Sequence, residues 1–274
     1  MLPLVACNWF SSSDVPQLVE RVGYACFNDA TQLDICRINP DGSDRVAFIK
    51  SSFREQWPAW SPDGRRIAYG VIPPSGNPSI WIAQADGSEA ALAPTLSYGR
   101  YPAWSPDGTH ITYAYFGLHS LDLEGSSGDV VIVADTLNVD KSSWSPDGKY
   151  IVVGSFYGIL RVKTDGSDLT QLTTLGDDHV PAYSPDGTQI VFASLGSGID
   201  VMDANGSNRH RIYPDNGVSW PAWSPRGDSI VFTKIEADTL RVWIMSASGS
   251  NAHRLDTGSN TARDPTWALL PATQ

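Results

Sequence analysis

The residues best suited to bind a ligand stand three or four positions before an aromatic residue that recurs along the chain. They combine three large aromatic side chains with charges of both signs. These residues are Trp57, Arg100, Tyr101, Asp140, Lys141, His179, Trp220, Arg263 and Asp264. Because Trp, Tyr and Arg are the usual anchors of binding interfaces, the set suits a peptide or a glycan better than a highly charged ligand. The alternative for the aromatic members is packing against a neighbouring structural repeat.

His179 is the residue that suggests a metal site, because Asp177 and Asp178 directly precede it. Asp140 and Asp264 stand before two other copies of the recurring aromatic residue. Together, Asp140, Asp178, His179 and Asp264 could hold calcium through carboxylate oxygens, or a softer divalent ion if the histidine joins. Such a site would indicate a metal-dependent lyase or lactonase. Without it, no cofactor is expected.

Other signals of catalysis or of nucleic-acid binding are missing from the sequence. It contains neither a Gly-x-Ser-x-Gly nucleophile elbow nor a His-Glu-x-x-His zinc pair. The 19 Lys and Arg residues are outnumbered by 30 Asp and Glu residues, which gives a formal charge of −11. A phosphate backbone requires a basic stripe, and no cluster of Lys and Arg occurs. Nucleic acid is therefore not expected as a partner.

The recurring aromatic residue divides the chain into repeats of 39 to 44 residues. Its six copies are Trp60, Trp104, Trp144, Tyr183, Trp223 and Trp267. Four copies precede Ser-Pro-Asp-Gly, and a fifth precedes Ser-Pro-Arg-Gly at 224–227. In this turn Pro presets φ, Asp bonds to its own backbone and Gly accepts a positive φ. A period near forty residues fits one four-stranded propeller blade.

The residues around each turn alternate as half-buried strands do, for example at 67–69 and 230–232. In most copies a later strand runs into an Asp-Gly or Asn-Gly turn, as at 86–87 and 205–206, which is a strong hairpin signal. We therefore predict an all-β fold, a six-bladed β-propeller of four-stranded antiparallel blades. The recurring aromatic residues are expected in the core between blades.

The two ends of the chain complement each other. Trp267 is followed by neither the turn nor a second strand, while residues 24–27 form a strand with no aromatic inner strand before it. Residues 265–270 are therefore predicted to supply the inner strand of the blade that lies within residues 22–50. This pairing closes the ring and covers the edges that an open array of sheets would expose.

The repeated pattern aromatic-Ser-Pro-Asp-Gly-x-x-Ile-x-aromatic resembles the β-propeller repeats of the TolB family. The resemblance covers residues 22–271 and concerns the propeller alone, since residues 1–21 are too few for the N-terminal domain of TolB. It implies a protein ligand, because the TolB propeller binds the peptidoglycan-associated lipoprotein. Similar repeats also precede the catalytic domains of prolyl-oligopeptidase-type enzymes, so fold does not define function.

Residues 1–21 are predicted to be an N-terminal extension. Within it, residues 4–7 match the end of a bacterial lipoprotein signal, with Cys7 as the lipidated residue; a chance match or a boundary inside a longer gene is the alternative. Cys26 and Cys36 fall on consecutive strands and form either a disulfide, in an oxidising compartment, or two free thiols. We expect an exported monomer that contacts a membrane only through a lipid anchor. A cytoplasmic location stays open.

Strand alternation places both Gly-containing turns on one face of the disc and the variable loops on the other. Loops on a rigid scaffold commonly carry recognition. We therefore expect a noncatalytic module that binds a protein or peptide, such as a cell-envelope component, on the variable face. The candidate residues should surround the channel mouth there. A metal-dependent propeller enzyme and a structural surface protein are the alternatives.

Overall fold

The computed structural model of the protein describes residues 18–27, 32–94, 98–125, 128–174, 176–258 and 261–271. They form six four-stranded antiparallel sheets, so the predicted six-bladed propeller is confirmed. One 3₁₀ turn, Asp135–Leu137, follows the outer strand of blade three. Across these ranges, none of the helical structure is long and apolar enough to span a bilayer.

The strands follow the chain blade by blade, except that the inner strand of blade one comes from the C-terminal end. Blade one contains β1 (Leu18–Phe27), β2 (Leu33–Ile38), β3 (Val46–Ile49) and β24 (Ala262–Pro271). Blade two contains β4 (Arg54–Trp60), β5 (Arg66–Ile72), β6 (Ser79–Gln84) and β7 (Ala91–Leu92). Blade three contains β8 (Arg100–Trp104), β9 (His110–Tyr115), β10 (Gly117–Asp122) and β11 (Asp129–Val133).

The remaining three blades repeat this order from the inner to the outer strand. Blade four contains β12 (Val139–Trp144), β13 (Tyr150–Ser155), β14 (Gly158–Lys163) and β15 (Thr170–Gln171). Blade five contains β16 (Asp178–Tyr183), β17 (Gln189–Ser194), β18 (Gly198–Asp203) and β19 (His210–Pro214). Blade six contains β20 (Val218–Trp223), β21 (Ser229–Glu236), β22 (Thr239–Ser246) and β23 (His253–Arg254).

The Ser-Pro-Asp-Gly turns are held by a hydrogen-bond pattern inside each turn. In blade three, the Ser105 hydroxyl donates to Asp107 Oδ1 at 2.6 Å and accepts the His110 amide at 2.9 Å. The bonds from Ser105 and from the Thr109 amide lower the pKa of Asp107 to about 2. In the divergent Ser-Pro-Arg-Gly copy, Ser224 donates instead to Asp228 at 2.8 Å. The turn therefore survives the loss of its own aspartate.

The recurring aromatic residues lie between blades, as predicted. Trp104 packs with Ala68 and Ile80 of blade two, and its Nε1 donates to the Ala59 carbonyl of that blade at 2.9 Å. Trp267 of blade one makes the corresponding bond to the Ala222 carbonyl of blade six at 3.1 Å. Trp104 and Trp267 thus each join the inner strands of two adjacent blades.

The ring closes through the pairing of β1 with β24, which confirms the predicted closure. The pairing runs from Leu18 opposite Pro271 to Cys26 opposite Ala262. Residues 18–21, which were predicted to be part of the extension, belong to β1 because they pair with residues 268–271. Cys7 and residues 1–17 lie outside the described residues.

Two local features stand out in blades one and three. Cys26 and Cys36 are diagonal neighbours on β1 and β2, with Cα atoms 5.9 Å apart, and they are joined by a disulfide, which is one of the two alternatives that the sequence leaves open. In blade three, β10 begins at Gly117, so Phe116 alone separates it from β9. The positive φ of Phe116, 60°, allows this abrupt reversal.

We expect Trp267→Ala to lower the free energy of unfolding by about 3–5 kcal/mol, because it removes a buried indole at the junction that closes the ring. Urea denaturation followed by circular dichroism measures this change. Val131→Ala is the control, since Val131 is 54% exposed on an outer strand, and it should change stability by less than about 0.5 kcal/mol. Equal losses in the two variants would contradict the assigned role of Trp267.

Candidate functional site

Three aromatic side chains from different blades meet at the channel mouth on the variable face. The ring centroids of Trp57 and Tyr101 lie 4.6 Å apart in an edge-to-face arrangement, and those of Tyr101 and Trp220 lie 5.4 Å apart. Because blades three and six stand opposite each other in a ring of six, the second contact crosses the axis. The three residues therefore form an aromatic plug that closes this end of the channel.

An unusual backbone conformation directs these side chains towards the axis. Five of the six residues three positions before the recurring aromatic have a positive φ, between 47° and 57°. They are Trp57, Tyr101, Val180, Trp220 and Asp264. Each of the inner strands β4, β8, β16 and β20 has a bulge at this point. A positive φ is disfavoured for bulky residues, so local sequence preference would not predict it.

Trp57 also requires a glycine beside it. A Cβ atom on Gly70, in the neighbouring strand β5, would lie only 2.4 Å from the Trp57 ring. The Trp57 indole consequently packs directly against the backbone of Gly70 and is only 8% exposed. Trp57 therefore packs within its own blade and against Tyr101 of the neighbouring blade. A ligand-binding role for Trp57 stays a prediction.

The charged candidates beside the plug are held by one another and by backbone amides. Arg263 Nε donates to both carboxylate oxygens of Asp264, at 3.0 and 3.1 Å. Burial raises the pKa of Asp264, and the positive charges of Arg263 and Lys141 oppose that rise. Burial likewise raises the pKa of Asp140 to about 7, against hydrogen bonds from the backbone amides of Val180, Lys141 and Gly154.

Lys141 is the cation between the two aspartates. Burial lowers its pKa to about 8, although the charges of Asp264 and Asp140 favour its protonated form. Its Nζ lies 5.8 Å from the centre of the Trp220 ring. Lys141 also lines the channel behind the plug, a cavity of about 400 Å³ that the inner strands surround. The structure thus brings Asp140, Lys141 and Asp264 together, as the sequence predicted for the channel mouth.

The four side chains predicted to bind a metal ion, those of Asp140, Asp178, His179 and Asp264, are not grouped into a metal site. The buried carboxylate of Asp178 is bound by Arg209 at 2.6 and 2.9 Å. His179 instead places Nε2 3.1 Å from Ser219 Oγ, and burial lowers its pKa. Over the described ranges, no three His, Cys, Asp or Glu side chains are arranged to hold a metal ion. Although Asp178 and His179 are adjacent in the sequence, they contact different residues, Arg209 and Ser219.

Exposed apolar side chains surround the channel mouth, and none of them is among the site residues predicted from the sequence. They lie in or next to the connections on the variable face and form what we call the apolar rim. The rim consists of Tyr98, Tyr115, Phe116, Phe156, Tyr157, Leu195 and Ile235. Phe116 is 61% exposed and Phe156 is 72% exposed. Apolar residues at tight hairpin tips, where polar residues usually occur, are the signal that could have revealed the rim.

Part of the rim and part of the channel mouth share one cleft. The variable-face cleft has a volume of about 390 Å³ and is lined by Tyr98, Tyr115, Phe116, Arg100, Tyr101 and Asp140, among others. Tyr98 stacks on Tyr115 with centroids 5.6 Å apart, and Phe116 meets Tyr115 edge to face at 5.0 Å. The cleft therefore offers aromatic surface with a cation and an acid at one side.

We expect Asp140→Asn to change how stability depends on pH. The folded-state pKa of Asp140, about 7, lies above its ordinary value of 3.8, so wild type loses stability as pH rises between these values and does not regain it above pH 7. The amide that replaces the carboxyl group cannot ionise. The free energy of unfolding of the variant minus that of wild type should therefore be larger at pH 8 than at pH 5. Urea denaturation at the two pH values measures this difference.

Asp165→Asn is the control for this pH experiment. Hydrogen bonds from Ser167 lower the pKa of the exposed Asp165, so its carboxylate is ionised at both pH values. Its difference from wild type should consequently be the same at pH 5 and pH 8. Parallel behaviour of the two variants would show that Asp140 does not retain a proton in the folded state.

Known proteins with similar sequences match parts of this chain. An uncharacterized protein of Agrobacterium fabrum is 32% identical over 145 residues, which are 46% of this chain and 50% of that protein. The Tol-Pal system protein TolB of Anaeromyxobacter dehalogenans is 32% identical over 90 residues, 32% of this chain and 21% of that protein. The chain thus matches half or less of the length of these relatives.

A solved structure of a TolB protein shares the propeller fold of this chain. The crystal structure of TolB from Acinetobacter baumannii superimposes with a TM-score of 0.78 and 24% identity, covering 90% of this chain and 66% of that one. The family model of the TolB β-propeller domain matches residues 19–271. The repeats, the closed six-bladed ring and this match together show that the chain belongs to the TolB β-propeller domain family.

Proposed function

We propose that this propeller is a noncatalytic module that binds a protein or peptide through its variable face. The observation that carries the proposal is the apolar rim beside the aromatic plug. Large exposed apolar clusters are uncommon on soluble proteins and mark interaction sites. Eight of the fourteen large apolar residues exposed in the described ranges lie in or next to variable-face connections: the seven rim residues and Phe53.

The chemistry of the variable-face cleft supports a peptide segment as the ligand. Tyr98, Tyr115 and Phe116 offer stacked and edge-on rings, and Arg100 stands exposed at the end of β8. Aromatic residues and arginine dominate binding energy at interfaces. The neighbouring Asp264 is already paired with Arg263. We therefore expect affinity to come mainly from the aromatic surface, with Arg100 orienting a carbonyl or carboxylate of the partner.

The family supports an envelope protein as the partner. The relative from Anaeromyxobacter dehalogenans is named a Tol-Pal system protein, and we propose that the present chain also acts outside the cytoplasm. The disulfide between Cys26 and Cys36 fits an oxidising compartment. A single propeller carries the whole cleft, so a monomer would suffice for binding.

The test is affinity capture from the envelope fraction of the source organism, followed by calorimetry with the captured protein. Wild type should retain a partner that the double variant Phe116→Asn, Phe156→Asn loses. Asparagine tolerates the positive φ of Phe116, and both side chains are exposed, so folding should be unaffected. In calorimetry, we expect the double variant to raise Kd at least about tenfold, since rim anchors contribute more than about 1 kcal/mol each.

The matched control carries Leu92→Gln and Val131→Thr, which alter exposed apolar residues on outer strands away from the variable face. This variant should bind the partner as wild type does. If the rim variant and the control capture the same proteins with the same affinity, the variable face is not the binding surface.

A further inference from the structure

A second apolar groove lies between blades one and two, on the flank of the ring. Its volume is about 300 Å³, and its walls include Phe48 of β3, Phe53 of the connection into β4, Glu55 of β4, Tyr69 and Val71 of β5, and Trp81 of β6. None of these residues lines the variable-face cleft. The groove is therefore a separate candidate site with one acidic side chain in an aromatic wall.

Glu55 is unusually placed for a carboxylate. It is only 1% exposed, and its Oε1 accepts a hydrogen bond from the Ser51 hydroxyl. Its Oε2 is buried without a hydrogen-bond partner. A buried polar atom in this state costs free energy that a suitable donor would recover. The fold thus maintains an acceptor in the groove wall that the protein itself leaves unused.

The charges around Glu55 favour a cation. Burial raises its pKa to about 7; the Ser51 hydrogen bond opposes this rise, and the negative charge of Asp34 adds to it. Tyr69 faces the same carboxylate and has its own pKa raised to about 12 by burial and by the charge of Glu55. Lys50 also lines the groove but is exposed and makes no ion pair with Glu55. A positive group entering the groove would balance this local negative charge.

We propose that the groove binds a small apolar amine, with its hydrocarbon or aromatic body between Phe48, Tyr69 and Trp81 and its ammonium group on Glu55. The ammonium has three donors and would give Oε2 the partner that it lacks. Aromatic walls attract both an apolar body and an organic cation, and an apolar pocket with one convergent polar group is the usual form of a small-molecule site. This site shares no residue with the apolar rim or with the variable-face cleft.

The probe is 2-phenylethylamine, with 2-phenylethanol as the uncharged analogue of the same shape. Binding is followed by saturation-transfer NMR and by titration calorimetry at pH 6 and pH 8. The amine stays protonated over this range, whereas Glu55, with a pKa of about 7, changes from mostly protonated to mostly ionised. The amine should therefore bind about tenfold more tightly at pH 8 than at pH 6, and the alcohol should show no such gain.

Two variants locate the site. Glu55→Gln keeps the shape of the side chain and should abolish both the preference for the amine and its pH dependence. Ala90→Trp adds bulk at an exposed position of the groove wall and should block both probes without disturbing the core. Ala91→Trp is the matched control, because Ala91 is the next exposed residue and does not line the groove.

The outcomes separate this proposal from the proposed function. Loss of amine binding in Ala90→Trp but not in Ala91→Trp supports the groove even if Glu55→Gln fails to fold. The rim variant Phe116→Asn, Phe156→Asn should bind the amine as wild type does. The proposal is overturned if wild type binds neither probe, if it binds both equally at the two pH values, or if Ala90→Trp leaves amine binding unchanged.

Discussion

The whole structure depends on the pairing of β1 with β24. A single blade cannot bury both faces of its sheet, so each blade needs a neighbour on either side. Six clusters of buried residues supply these contacts, and the cluster that joins blades six and one contains Val22 and Trp267 from the two paired strands. Ring closure therefore removes the exposed ends of the array and turns six marginal sheets into one cooperative unit.

Closure also determines what the centre of the ring can do. Inner strands from all six blades converge there, and the bulge before each recurring aromatic directs a side chain towards the axis. Trp57, Tyr101 and Trp220 fill the mouth, while Asp140, Lys141 and Asp264 share a region of low solvent access where burial shifts the pKa of all three. The channel mouth is consequently closed by packed aromatic and charged side chains, and the apolar rim surrounds it.

Two surfaces carry groups without a favourable partner in the described structure. One exposes apolar side chains, and the other contains a buried carboxylate oxygen. The variable face exposes large apolar side chains such as Phe116 and Phe156 to water, which suits an extended partner that can cover them. The groove between blades one and two instead hides a carboxylate oxygen of Glu55 without a donor, which suits a small ligand with a cationic end. The same rigid scaffold can support both because the connections on each blade vary independently.

The sequence by itself determined the fold, because the repeated turn and the aromatic period are local signals that recur in every blade. It also determined the closure, since the two incomplete ends are complementary, and it located Asp140, Lys141 and Asp264 at one mouth through their equivalent positions. Only the tertiary structure decided which side chains meet across the axis, since Tyr101 and Trp220 are far apart in the chain and reach each other through backbone bulges. Asp178 pairs with Arg209 and Glu55 is buried beside Tyr69 for the same reason: burial and partner choice arise from packing between strands that are distant in sequence.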